Sequence, residues 1–251
     1  VKMLFLAWQD PVSRAWFPIG RLSSDGTTYQ FVYTQGVQVA QQQCAFQPLP
    51  SFPDLDLVYF SPELFPLFAN RLLRRSRPDY ADFVQWLNLS THEDDPIVLL
   101  ARSGGQRATD TFFVLPASEQ DGNGVYHIHF FVHGLRYLPP ETINRISRLQ
   151  TGELLHLVRD TYSDEERGLI LCTEDRYIVG YGPQYLLDDS FEMLRSLLNC
   201  VQVAVERVNP PPTPLQFRLL CHLSACLPEN FRPFSSSIYQ PLVDMVAASP
   251  V

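Results

Sequence analysis

Arg136 and Tyr137 stand side by side at the end of the run Phe131-Val132-His133-Gly134-Leu135. A tyrosine ring accepts any nucleobase on its face, and a guanidinium grips phosphate through two parallel hydrogen bonds. The pair therefore has the chemistry of a contact to single-stranded nucleic acid. The plainer alternative is a strand end whose tyrosine packs on a loop and whose arginine faces solvent. Downstream, Asp160, Tyr162, Asp164 and Glu166 gather in an acidic stretch. They could accept a ribose hydroxyl or, as paired carboxylates, hold Mg2+; such a run is more often just a solvated loop. His127, His129 and His133 alternate with apolar residues and so share one face of a strand. The first two, about 7 Å apart along an extended chain, could chelate one ion, with His133 about 20 Å from His127 and out of reach. Cys221-His222-x3-Cys226 offers one pair of metal ligands where a structural zinc site usually needs two.

Two basic stretches add to these. Arg71, Arg74 and Arg75 share a face at helical spacing, either as an anchor for an acidic partner or as cations at a helix C-terminus. Arg102-Ser103-Gly104-Gly105-Gln106-Arg107 could bring backbone N–H groups to a phosphate, but it lacks the lysine ending of a P-loop and is equally a tight turn. No positioned nucleophile–base pair, helical histidine pair with glutamate or nuclease carboxylate–lysine signature occurs, and Lys2 is the only lysine. The expectation is a protein without catalysis of its own and without a cofactor, zinc and magnesium being the ions weighed.

The balance of charge narrows the choice of partner. The chain of 251 residues carries a net charge of −8, and splitting it at Gly124/Val125 leaves −4 on each part. Wrapping of duplex nucleic acid asks for a basic domain, so that class is excluded. Nearly all the cations are arginine, which suits a small phosphate site. With 45% hydrophobic residues there is a core for one large domain or two small ones. No run of about 18 apolar residues suggests a membrane span. The opening Val1–Trp8 reads as a first strand of a cytoplasmic protein. Five cysteines without CxxC spacing read as reduced thiols.

Strands are predicted over Met3–Trp8, Trp16–Leu22, Thr28–Thr34, Ile97–Arg102, Thr111–Leu115, Phe131–Tyr137, Leu154–Val158, Leu169–Cys172, Tyr177–Tyr181, Val201–Val208 and Phe217–Ala225. Helices are predicted over Glu63–Arg74, with Ser61 as cap and Pro62 first, over Tyr80–Leu89 with Asp79 as cap, and over Gln184–Asn199. Gln41–Pro53 reads as loop, Ser118–Gly124 as linker, Asn209–Pro214 as an extended connector and Phe231–Val251 as a surface tail.

The order Gly134-Leu135-Arg136-Tyr137, then Gly152-Glu153-Leu154-Leu155-x-Leu157-x-Arg159-Asp160, then Ile178-x-Gly180-Tyr181-x-Pro183 resembles the HIRAN domain. The resemblance implies a small β-barrel that binds single-stranded DNA and holds its free 3′ end. It places Arg136 and Tyr137 where the strand enters and Asp160, Tyr162, Ser163 and Glu166 around the terminal nucleotide. The chain departs from the family in its acidic insert, which replaces an asparagine-rich loop, in Tyr181 where many relatives have histidine, and in Gln184 where a cation is frequent. Arg159 and Arg176 are then the substitute phosphate contacts. Residues 16–73, through Phe17-Pro18-Ile19-Gly20-Arg21-Leu22, Tyr29-x-Phe31-x-Tyr33, the stretch Phe46–Leu55 and Ser61–Leu73, resemble the small N-terminal subdomain of HipA-type kinases, with no kinase machinery following.

Together these readings give an α+β, strand-rich chain: a HipA-subdomain-like module over 1–117 with two short helices, a HIRAN-like barrel over 125–208 and a Pro/Ser-rich extension over 209–251. The expected function is non-catalytic recognition of single-stranded DNA or DNA 3′ ends, beside a helicase, nuclease or other protein partner. The alternatives are a protein–protein adaptor or antitoxin-like factor that has lost DNA binding, and an accessory subunit of a nucleic-acid hydrolase.

Overall fold

The computed structural model describes residues 2–117, 119–159, 169–183, 201–226 and 233–243. In chain order its elements are β1 (Lys2–Gln9), β2 (Trp16–Ser24), β3 (Tyr29–Tyr33), α1 (Gly36–Cys44), β4 (Tyr59–Ser61), α2 (Pro66–Ala69), α3 (Tyr80–Trp86), α4 (Pro96–Ser103), β5 (Phe112–Pro116), β6 (Glu119–Gln120), β7 (Val125–Phe131), α5 (Pro140–Ile146), β8 (Leu154–Arg159), β9 (Leu169–Cys172), β10 (Ile178–Tyr181), β11 (Val201–Val208) and β12 (Leu219–Cys226). The fold is α+β and strand-rich, in two compact units.

The first unit takes residues 1–74, 94–117 and 234–251. Its antiparallel sheet has the order β4-β3-β2-β1-β5. β1 is an almost unbroken apolar run because both its faces are covered. Leu4 and Leu6 join Phe17, Ile19, Phe31 and Phe52 in the core on one side. Phe5, on the other, packs against Phe234 and Tyr239 with ring centroids 5.5 and 5.1 Å away. Phe234 and Tyr239 are thus buried, and the C-terminal segment is no surface tail over these residues. It is fastened by Gln35 N–H donating to Gln240 O (2.8 Å) and Leu242 N–H to Tyr33 O (2.8 Å).

Three local predictions in this unit are overturned. Ile97–Arg102 is helical, within α4: Asp95 caps it by accepting from Ile97 N–H at 2.8 Å, Pro96 opens it and Gly104 closes it. Its apolar run carried no period, so the flanking caps decide. The expected helix Glu63–Arg74 shrinks to Pro66–Ala69, since Pro66 cannot sit inside a helix and starts one instead. Ser61 does not cap it; its Oγ accepts from Glu63 N–H and donates to Glu63 O in a local turn. Gln41–Cys44, read as loop, is the last turn of α1.

The second unit takes residues 75–93 and 118–233. Its sheet has the order β10-β9-β8-β11-β12-β7-β6 and curls into a half-barrel. Inward-facing Ile128, Phe130, Leu155, Leu171, Val203 and Leu223 fill it. The module boundaries move accordingly. Residues 75–93 belong here, because Phe83 and Trp86 of α3 pack on Phe217 and Trp86 O accepts from Asn209 Nδ2 at 2.9 Å. Asp79 leaves α3 uncapped, its carboxylate being taken by Arg77. Within the supposed extension, β12 is an interior strand between β11 and β7. The supposed linker is a hairpin: Glu119 and Gln120 pair with His127 and Tyr126, and Asp121 Oδ1 accepts from Asn123 and Val125 N–H at 2.8 and 2.9 Å. The strand expected over Phe131–Tyr137 ends at Phe131, and Leu135–Tyr137 forms a 3-10 turn after Gly134. The helix expected over Gln184–Asn199 lies outside the described residues. No described helix is long and apolar enough to cross a membrane.

Candidate nucleic-acid interface

The half-barrel closes where the chain just beyond β7 meets β10. His133 N–H donates to Tyr181 O at 2.8 Å, and Tyr181 N–H to His133 O at 3.0 Å. Two glycines permit this seam. Gly180 has φ +133°, and a Cβ there would lie 2.5 Å from both His133 O and Val132 Cγ1. Gly134 has φ +81°, and a Cβ there would lie 2.8 Å from the Tyr181 ring. The Tyr181 ring therefore lies over the start of the 3-10 turn, whose first bond runs from Tyr137 N–H to Gly134 O at 2.9 Å.

This turn carries Arg136 and Tyr137. Tyr137 is 74% exposed, and the Arg136 guanidinium sits over its ring at 4.6 Å from the centroid. Stacked this way, the guanidinium keeps its in-plane N–H donors while the ring keeps its other face. The seam thus assembles Arg136, Tyr137 and Tyr181. The backbone of Arg159 stands at the same end by register: Arg159 pairs with Leu169, whose carbonyl accepts from Gly182 N–H at 2.7 Å. Arg176 does not join them. It sits in the β9–β10 turn, five residues before Tyr181 and on the order of 15 Å along the strand. Asp160, Tyr162, Ser163, Glu166 and Gln184 lie outside the described residues.

The far end of the same hairpin is acidic. An open hollow of about 550 Å3 is lined by Arg145, Glu153, Leu154, His156, Glu174 and Asp175. Arg145 forks onto Asp175 at 3.0 and 3.1 Å and onto Glu153 at 2.7 Å. The Arg145 hydrogen bonds, with help from Thr173, hold the Asp175 carboxyl down at about 2. Between seam and hollow, the outer face of β8–β10 is apolar and exposed at Leu154, Val158, Ile178 and Tyr181. Val158, Ile170 and Tyr181 form one row across the three strands, and His156, Cys172 and Ile178 the next.

The other candidates resolve into structure. Arg71 is buried, forking onto Asp110 at 3.0 and 2.8 Å and donating to Gly105 O at 3.0 Å, so it is no surface anchor. The Gly104-Gly105 pair is the end of α4, with Gly104 O accepting from Val114 N–H at 2.8 Å. Cys221 points into the core while His222 and Cys226 point outward, so the suspected ligand trio is split between two faces. The four described cysteines are free.

His127 and His129 do not face each other across an ion. His222 of β12 stands between them, its ring nearly parallel to both, at 17° and 16°. His127 Nδ1 and His222 Nε2 are 2.9 Å apart, a hydrogen-bond distance that leaves no room for a metal. Among the described residues no group of three His, Cys, Asp or Glu could hold a metal ion. Burial depresses the pKa of His133, whose backbone forms the seam. The part played by His222 was missed in the sequence. Its alternation with Ser224 and Cys226 shows a polar strand face, but only the register of β12 on β7 brings it to His127 and His129. Compared with known proteins, the chain matches no family model, no curated protein and no solved structure.

Proposed function

We propose that the second unit is a binding module without turnover of its own, which receives the end of a single-stranded nucleic acid at its seam. The observation that carries this reading is the exposed Tyr137 ring with Arg136 stacked on it, next to Tyr181. Tyr137 offers a face to a terminal base and Arg136 offers paired donors to the adjoining phosphate. The order of the seam residues in the chain, which resembles that of HIRAN domains, supports the same assignment. A net charge of −8 limits the contact to a few phosphates.

Fluorescence titration with short single-stranded oligonucleotides tests it, using free and blocked 3′ hydroxyls. Tyr137→Ala is expected to weaken binding roughly five- to a hundredfold, the worth of one stacked base. The salt slope should correspond to about two or three phosphates. Blocking the 3′ hydroxyl should matter less than in typical HIRAN domains, because Ser163–Glu166 stands where those have an asparagine-rich loop. Equal affinity of the parent chain and the Arg136→Ala/Tyr137→Ala variant sinks this reading. It would favour the second one, a protein–protein adaptor, which rests on the exposed apolar face of Leu154, Val158, Ile178 and Tyr181. Metal-dependent turnover of DNA or nucleotide by the purified protein, lost on changing Asp164 and Glu166, would overturn the non-catalytic assignment.

A further inference from the structure

The outer side of the half-barrel sheet changes character across its width. On β7, β12 and β11 it carries His127, Ser224 and Gln202, in register with one another, the polar residues of a face turned to water. On β8, β9 and β10 the same side carries Leu154, Val158, Ile170, Ile178 and Tyr181, interrupted by His156 and Cys172. The residues facing inward from these strands, Leu155, Leu169, Leu171 and Val179, already belong to the core. A strand apolar on both faces is built to be covered twice, as β1 is by the core of its unit on one side and by Phe234 and Tyr239 on the other. The outer side of β8–β10 is instead exposed, Leu154 at 51% and Val158 and Ile178 at 45%.

The apolar stretch runs directly into the acidic hollow, because Leu154 and His156 belong to both. In the hollow one guanidinium stands against three carboxylates. Glu153 is taken, one oxygen accepting from Arg145 at 2.7 Å and the other from Gln150 N–H at 3.0 Å. Both oxygens of Asp175 accept from Arg145. Glu174 lines the same hollow, is exposed, and makes no hydrogen bond or ion pair among the described residues. The hollow therefore offers a carboxylate to a cation and repels an anion.

We infer that the outer face of β8–β10 is a docking surface for an amphipathic, basic segment of another protein. The segment lays apolar side chains on Leu154, Val158 and Ile178 and sets a lysine or arginine in the hollow against Glu174. The face measures about 13 Å along β8, from Leu154 to Val158, and about 10 Å across the three strands. That is room for about two turns of helix or about five residues of extended chain. Charge selects the partner. A second copy of this chain would bring a net charge of −8 to Glu174, whereas a basic segment is drawn to it. Arg145 does not oppose the incoming cation, because its Nε and Nη2 are turned onto Asp175 and Glu153 and its charge is matched there. This gives a chemistry to the partner of the adaptor reading, and it requires no nucleic acid at Arg136 and Tyr137.

Selection from a random peptide library on the full chain tests it, with Val158→Thr/Ile178→Thr as the control bait. Threonine keeps the β-branched shape of both positions and removes apolar surface. The parent chain should enrich peptides that carry lysine or arginine beside apolar residues. Their affinity should fall about tenfold on the threonine variant, from the apolar burial lost at two half-exposed positions. Glu174→Gln should weaken them about two- to fivefold at low salt, with the difference gone at high salt, as for an exposed ion pair. Arg136→Ala/Tyr137→Ala should leave peptide affinity unchanged, so that failure at the seam and failure at this face are told apart. The urea midpoint of the threonine variant should equal the parent's; a lowered midpoint would mean that the chain covers this face itself and would overturn the proposal. Equal enrichment on both baits would also overturn it, as would enriched peptides that are acidic or indifferent to Glu174→Gln. A dimer of the parent chain that the threonine variant dissolves would give the face to a second copy instead.

Discussion

Arg71 shows how a residue's neighbours decide its role. In the sequence it belongs to a cluster with Arg74, Arg75 and Arg77 that reads as a surface feature. In the fold its guanidinium is buried and its hydrogen bonds run to Asp110 and Gly105 O. Arg71→Ala would strand a partly buried carboxylate and a carbonyl. The expected loss is about 3 kcal/mol, the low end for breaking such a pair because Asp110 keeps some solvent contact, read as a lower urea midpoint. Nothing in local sequence could have distinguished Arg71 from Arg74, because its partner is 39 residues away. Arg136 and Tyr137 differ in that they are adjacent, and adjacency in a 3-10 turn, where a strand end was expected, is enough to stack one on the other. Tyr181 joined them only through the closure of the sheet, which Gly134 and Gly180 allow but do not announce.

Among the elements, most strands were legible, and of the helices α3 was, over Tyr80–Trp86, while α1 and α4 were not. Eight or more residues of alternating or unbroken apolar character, as in β1, β2 and β11, mark strands wherever they fall. The run Ile97–Ala101 misleads by the same rule, and the correct signal was Asp95-Pro96 before it and Gly104 after it. The β9–β10 hairpin illustrates an element held at its tip by charge. Asp175 is ionised down to about 2 in the fold, against an ordinary carboxyl value near 4. A depressed carboxyl stabilises the fold fully above the unfolded value and loses that contribution as pH falls through the folded one. Asp175→Asn should therefore lower stability by a constant amount above about pH 4, and the gap should close toward pH 2. Chemical denaturation at pH 7, 4 and 2.5 measures it; an unchanged gap at pH 2.5 would mean that Arg145 is not the cause.

At the scale of the whole chain, the first unit is discontinuous. The sequence suggested a module complete at residue 117, since Ser118–Gly124 has the composition of a linker, and aromatic residues after Phe231 gave no hint of where they would pack. Yet Phe234 and Tyr239 cover Phe5 on the second face of β1. Ending the chain at Pro233 should destabilise this unit by on the order of 4 kcal/mol, from two aromatic side chains at about 1.5–3 kcal/mol each. Trp8 and Trp16 lie in this unit and Trp86 in the other. Fluorescence of a Trp86→Phe background isolates the transition, and an unmoved midpoint would refute the claim. The same discontinuity sets an order of events during synthesis. The second unit's last described strand, β12, is synthesised before Phe234. The earlier-made sheet must therefore wait, with Phe5 bare on one side, for the roughly 120 residues between its body and its cover, about 6–25 s at ordinary elongation rates. A chaperone that engages this nascent chain would find its target on β1, and would lose it when Tyr239 arrives.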